Sequence, residues 1–193
     1  MDWHVWLGAI AGIGQALAVI PYVRDILKGT TKPNIVSWSL WTLAVLITLS
    51  AQISAGASWS ALILVGATVA NFTVIILALF GYGYRKFTWV EWTCLTLSLA
   101  AIALWQITGN PLVAMGFSIA ADGIAYIPTL VKAYKEPFSE TAIYWLLLIV
   151  TDLMAMASTT ILNTANLAFP IYYALINSLL LIVILGRRRS KTP

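Results

Sequence analysis

The chain has 193 residues, 61% hydrophobic and 9% charged. Soluble domains carry roughly a quarter of their residues as charge to keep a wetted surface, so this composition excludes one and predicts a polytopic membrane protein. The net charge of +4 collects at predicted helix ends, where it reports orientation, and no nucleic-acid partner is expected.

A helix needs roughly 20 apolar residues to span a bilayer. On that length, seven spans are expected, over 5–27, 34–54, 60–83, 88–108, 112–134, 140–162 and 168–186. The fold class is therefore an all-α membrane protein of seven transmembrane helices. The first apolar stretch lacks a basic leader, since Met1 to His4 carry no Lys or Arg, and it is expected to be retained as a span.

All eleven Lys and Arg residues fall in four stretches, 24–32, 85–86, 132–135 and 187–191. The connections between them, Ala55 to Ser58, Gly109 to Pro111 and Asn163 to Asn166, contain none. Cytoplasmic loops carry the excess of Lys and Arg. The alternation predicts an outside N-terminus and a cytoplasmic C-terminus, in a plasma or inner membrane. Arg187, Arg188 and Arg189 precede a polar tail suited to anionic lipid heads. Trp3, Trp6, Trp59 and Trp105 fall at expected outer ends, and Trp38, Trp41, Trp89 and Trp92 at inner ends. Most are expected to be interfacial anchors, with apolar rings and a wet polar edge; Trp145 lies somewhat deeper.

A shift of 107 residues places Ile20-Pro21 on Ile127-Pro128, Lys28 on Lys135, Trp38 on Trp145 and Gln15 on Asp122. Asn71 meets Asn177 one residue out of that register. Helices 1–3 thus correspond to helices 5–7. An odd helix between two three-helix units restores the direction of the second, giving parallel repeats about the membrane normal. The expected organisation is a first triple-helix bundle over 1–87, a linking helix over 88–109 and a second bundle over 110–193.

This arrangement resembles the SWEET and PQ-loop transporter superfamily. The likeness rests on the 3+1+3 order, the outside N-terminus, Pro21 and Pro128 in the inner halves of helices 1 and 5, and Asn71 and Asn177 midway along helices 3 and 7. It spans essentially the whole chain, as architecture more than as strict motif: Pro21-Tyr22 and Pro128-Thr129 stand where the family has Pro-Gln. The resemblance implies alternating access around a midplane site, with Asn71 and Asn177 at the family's central-cavity positions.

Five polar residues fall near the middle of their predicted helices: Gln15, Asn71, Asp122, Asp152 and Asn177. A carboxylate at the bilayer centre costs about 2.5–3.5 kcal/mol on insertion scales, whereas an interhelical hydrogen bond returns about 0.6 kcal/mol on average. Helix adhesion alone is too small a return for two acids. They are expected to point inward and to hold a proton or receive a cationic group, since no Lys or Arg lies at that depth. Pro21 and Pro128 are candidate hinges, because proline removes a backbone donor and bends a helix. Tyr22, Tyr126 and Trp145 are candidate plugs of an inner gate. Gly8 and Gly12 have the spacing of close helix packing, and Gly12 and Gly14 leave room for a ligand beside Gln15. The nearest aromatic rings at midplane depth are Phe72 and Phe117.

Cys94 is the single cysteine and His4 the single histidine, so no disulfide framework, metal or cofactor is expected. A retinal protein needs a Lys in its last helix, and helix 7 has none before Arg187. No phosphate-binding loop or activated nucleophile accompanies the aspartates, and an enzyme is not expected. The expectation is a transporter of a small polar solute, with proton coupling as an option. A sugar, an amino acid, an amine and a vitamin all remain open as solutes, and so does the oligomeric state. The alternative is a receptor or scaffold of the same fold that binds a peptide or small ligand without flux.

Overall fold

The computed structural model describes residues 2–31, 33, 35–83 and 88–191, and of Glu91, Pro128 and Lys191 the backbone alone. The described chain is all-helical. Its elements are α1 (Trp3–Leu27), α2 (Ile35–Ser54), α3 (Leu62–Leu77), α4 (Trp89–Thr108), α5 (Pro111–Lys135), α6 (Ala142–Ala157) and α7 (Thr164–Lys191). Single 3-10 turns precede α3 and α6, and α3 runs on into a wider-wound stretch, Ala78–Tyr82. Five helical stretches are long and apolar enough to cross a membrane; two shorter apolar helices, Trp92–Thr108 and Ala142–Ala157, accompany them.

Local chemistry sets several boundaries. Asp2 caps α1 by accepting from the His4 amide at 3.1 Å, and Asn110 caps α5 by accepting from Leu112 at 3.0 Å, with Pro111 in the first turn. These caps satisfy amides that the helix itself leaves open. Within the spans, hydroxyls bond back to carbonyls one turn earlier, as Ser39, Thr42, Thr48 and Ser50 do along α2. That habit lets an apolar environment accept Ser and Thr without an unpaired O–H.

Two boundaries differ from expectation. α6 stops at Ala157 and α7 starts at Thr164. Ser158 and Thr159 turn their hydroxyls onto the Ala155 carbonyl, and the Asn163 side chain accepts from the Asn166 amide at 2.9 Å, capping α7 early. α7 then continues through Pro170. The basic residues Lys32, Arg85 and Lys86 lie outside the described residues, as does the side chain of the hinge candidate Pro128.

The helices close a ring. α1 packs on α3, α3 on α2, α2 on α5, α5 on α7, α7 on α6, and α6 back on α1. α4 stands outside, against α5 and to a lesser extent α2, where the Cys94 thiol donates to the Ala121 carbonyl at 3.2 Å. α1 and α3 approach so closely that a Cβ on Gly66 would lie 2.0 Å from the Gly12 carbonyl oxygen, and one on Gly8 would lie 2.7 Å from that of Trp59. The Gly8/Gly12 spacing therefore serves packing. It leaves no ligand space at Gly12, which Leu62 covers, nor at Gly14, which Thr151 meets.

The interior has three layers. Toward the end carrying Arg24, Lys28, Lys132, Lys135 and Arg187 (the basic end), an apolar cluster gathers Tyr22, Trp38, Trp41, Tyr126, Tyr144 and Trp145. Toward the other, neutral end, a second cluster surrounds Phe169 with Ala11, Val45, Leu64, Met115 and Ala155. Between them lies a polar layer.

Candidate functional site

The polar layer follows from helical period. Residues three, four or seven apart share a face, so α1 presents Gln15 and Tyr22 to the centre, α2 presents Trp38, Trp41 and Val45, and α3 presents Ala67 and Asn71. α5 adds Asp122 and Tyr126, α6 adds Trp145, Leu148 and Asp152, and α7 adds Tyr173 and Asn177. All of these except Tyr22 and Asp152 line one cavity of about 40 Å³, together with Tyr144. That is room for about two or three waters.

The five central residues of the sequence reading are all buried, with Asp152 at 0% and Asp122 at 2% exposure. Asp122 accepts from the Tyr172 hydroxyl at 2.7 Å and from Tyr173 at 3.3 Å. Asp152 accepts from the Asn177 amide nitrogen at 3.0 Å, while the Asn177 oxygen accepts from the Tyr126 hydroxyl at 2.9 Å. Gln15 accepts from the Thr151 hydroxyl. Asn71 reaches the cavity, and no side-chain partner for it occurs among the described residues. The second oxygen of Asp152, Oδ1, is buried without a hydrogen-bond partner. Among the described residues the ion pairs are His4 with Asp2 and Lys132 with Glu140, so neither central acid is matched by a Lys or Arg.

The gate candidates Tyr22, Tyr126 and Trp145 meet in one structure. Six rings follow one another around a closed loop: Tyr22 and Trp38 with centroids 5.3 Å apart, Trp38 and Trp41 at 5.3 Å, Trp41 and Tyr126 at 5.3 Å, Tyr126 and Trp145 at 6.0 Å, Trp145 and Tyr144 at 4.9 Å, and Tyr144 back to Tyr22 at 5.1 Å. All six are buried. They stand one to two turns on the basic side of the polar layer, and all but Tyr22 line the cavity. Pro21 sits within an unbroken α1, next to Tyr22 in sequence and half-buried.

This arrangement corrects two sequence expectations and adds two residues that the sequence reading missed. Trp38 and Trp41 are interior ring members, at 4% and 9% exposure, whereas Trp3, Trp6, Trp59, Trp89 and Trp92 are exposed as anchors would be. Phe72 turns outward at 47% exposure, so the aromatic surface beside the site belongs to the ring. Tyr172 and Tyr173 were not singled out, although two adjacent tyrosines in an apolar helix are a usable signal: each buried hydroxyl requires a partner.

At the neutral end, hydrogen bonds stitch the α2–α3 connection to the α6–α7 connection. Asn166 accepts from the Ser58 amide at 3.2 Å and donates to the carbonyls of Gly56 and Ile161 at 3.3 and 3.2 Å. The Thr160 amide donates to the Ser58 hydroxyl at 2.9 Å. At the basic end, the Thr141 hydroxyl donates to Asp25 at 2.5 Å, Lys132 pairs with Glu140 at 3.1 Å, and Arg188 donates to the carbonyls of Pro137 and Glu140 at 3.0 and 2.6 Å. Burial pushes the Glu140 carboxyl above its ordinary range against the pull of the Lys132 ammonium. The Trp145 indole N–H faces that carboxyl without reaching hydrogen-bond geometry.

No protein-family model, curated protein or solved structure matches this chain.

Proposed function

We propose that this protein is a membrane transporter that moves a small polar solute by alternating access. In this reading all seven helices span the membrane, the basic end faces the cytoplasm, and the two triple-helix units work as repeats in the manner of SWEET and PQ-loop carriers. Five spans have the required length and apolarity. The 16 residues of α6 cover about 24 Å, close to the hydrocarbon core of about 30 Å, with a 3-10 turn and the α6–α7 connection making up the rest.

The order of the ring supports the repeat. Renaming α1, α2 and α3 as α5, α6 and α7, and the reverse, maps every neighbour pair onto another neighbour pair, and α4 alone is left over. Such an order is what a twofold axis through the cavity produces.

The observation that carries the function is a buried polar layer flanked on its two sides by different devices. Six aromatic rings lie on the basic side, and the Phe169 cluster and Asn166 hydrogen bonds lie on the neutral side. A site that opens to one side at a time needs two independent closures. Polar side chains placed only to hold helices together need neither. Asn71, whose amide is not engaged, and Asn177 contact the solute, and Asp122 and Asp152 set the charge it meets.

The test is flux in proteoliposomes loaded with a panel of labelled sugars, amino acids and amines. Saturable exchange that Asn71→Ala reduces at least tenfold is the expected result. Tight binding with no flux for the same solute would move the protein to the receptor class instead.

A further inference from the structure

The transport reading leaves the solute open, and the chemistry of the cavity narrows it. Its polar groups are largely engaged with one another. Both oxygens of Asp122 accept tyrosine hydroxyls, the Asn177 amide is used on both its nitrogen and its oxygen, and the Gln15 oxygen accepts from Thr151. A sugar presents many hydroxyls, each needing a donor or acceptor when it leaves water. Asn71 and the Trp41 indole N–H, which is buried without a partner, supply only a fraction of that. A polyol is poorly matched.

What the cavity offers in quantity is acidic and aromatic surface. Asp122 and Asp152 lie on its wall or behind it, unmatched by any Lys or Arg among the described residues. Five of the six aromatic ring members line it. An aromatic face carries the negative lobe of its quadrupole and attracts a cation within about 6 Å of the centroid. Aromatic faces beside a carboxylate make a complementary receptacle for an ammonium group with apolar substituents.

We infer that the solute is a small organic cation of the amine or quaternary ammonium class, held between the faces of Trp41, Tyr126 and Trp145 with Asp122 as its counter-charge. This rests on the transport reading for its consequence in flux, and on the ring and the acids alone for binding. Because the cavity has only about 40 Å³, an ammonium with methyl substituents enters when the rings part. The aromatic ring is then both the barrier and part of the binding surface.

The experiment uses the full chain, purified in detergent and in proteoliposomes, with choline, tetramethylammonium and ethanolammonium as probes and glucose and glycine as controls. Binding is read by quenching of tryptophan fluorescence and by calorimetry, and flux by labelled choline. Choline is expected to bind saturably and to be displaced by tetramethylammonium. Asp122→Asn is expected to weaken it roughly 30-fold or more, as loss of a buried counter-charge does. Tyr126→Leu is expected to weaken it about tenfold, and Tyr126→Phe, which keeps the ring face but loses the bond to Asn177, about threefold. Should Asp122→Asn fail to fold, the Leu-against-Phe contrast at position 126 still decides.

Choline binding without choline flux keeps the cation site and removes the transport reading. Saturable flux of glucose or glycine, unaffected by excess tetramethylammonium, keeps transport and overturns the cation. Absence of binding for all three ammonium probes overturns it as well, and so does equal weakening by Tyr126→Leu and Tyr126→Phe.

Discussion

Asn177 donates its amide to Asp152 across the α6–α7 contact at 3.0 Å, and this one bond is all that the buried Asp152 carboxyl receives from described side chains. The same amide accepts from Tyr126 on α5. One side chain on α7 therefore holds together contributions from three helices. Asn177→Leu is expected to destabilise the protein by about 1–3 kcal/mol, because both former partners are left buried and unpaired. Asn177→Leu combined with Asp152→Leu should recover part of that loss. Thermal unfolding of the four species in one detergent checks it, and strict additivity of the two single changes would contradict the pairing.

The contact of α1 with α3 predicts a graded response to added methyl groups. Gly66→Ala places a Cβ 2.0 Å from the Gly12 carbonyl oxygen, where backbone must move. A loss of about 1–3 kcal/mol is expected from overpacking of this kind. Gly116→Ala, with nothing within 4 Å of the new atom, should be neutral or gain up to about 1 kcal/mol from helix propensity. Unfolding midpoints of the two variants give the comparison.

Glu140 predicts a pH dependence with a definite sign. Burial raises its carboxyl in the folded protein above the ordinary value of 4.5. A group raised on folding contributes stability while it stays protonated, and that contribution fades as pH climbs from the unfolded value through the folded one. Glu140→Gln keeps the neutral form at every pH. The variant should therefore match the wild type below the ordinary carboxyl value and gain on it as pH rises above that value. Melting temperatures from acid to neutral pH test this; a gap that narrows with rising pH would show that the Lys132 pair outweighs burial.

Removing the Asn166 side chain should loosen the neutral end without touching the cavity. Three hydrogen bonds run through it, each worth about 1 kcal/mol net. With Cys94 replaced by Ser and a cysteine introduced at Val45, which is 1% exposed on the cavity wall, Asn166→Ala should raise the rate of labelling from the neutral side several-fold. An unchanged rate would mean that the Phe169 cluster alone closes that side.

The sequence disclosed the helices far better than their facing. In lipid both sides of a helix are apolar, so the 3.6-residue rhythm that reveals a buried face in a soluble helix fades. Facing was readable only where a residue was too polar for lipid, and Gln15, Asn71, Asp122, Asp152 and Asn177 are all buried. Trp38 and Trp41 show the converse. At an interfacial depth a tryptophan fits either headgroups or a core, and nothing in its own spacing chooses between them. Tyr172 carries the same ambiguity. The end of α6 was hidden for a different reason: Ser158 and Thr159 fit a helix as well as a turn, and what stops the helix is the pairing of Thr160 with Ser58, about a hundred residues away in the chain.

The place of α4 makes the two long joints of the ring mechanically unequal. The joint between α2 and α5 is aromatic, with Trp41 against Tyr126, and has α4 laid along its back. The joint between α1 and α6 is crossed by hydrogen bonds, from Thr151 to Gln15 and from Thr141 to Asp25. Water can replace those two bonds at little net cost, whereas it has nothing to offer the aromatic joint. A ring built this way yields more readily on the side that can be wetted than on the side that stays dry, and under the proposed transport function the joint between α1 and α6 would be the one to part.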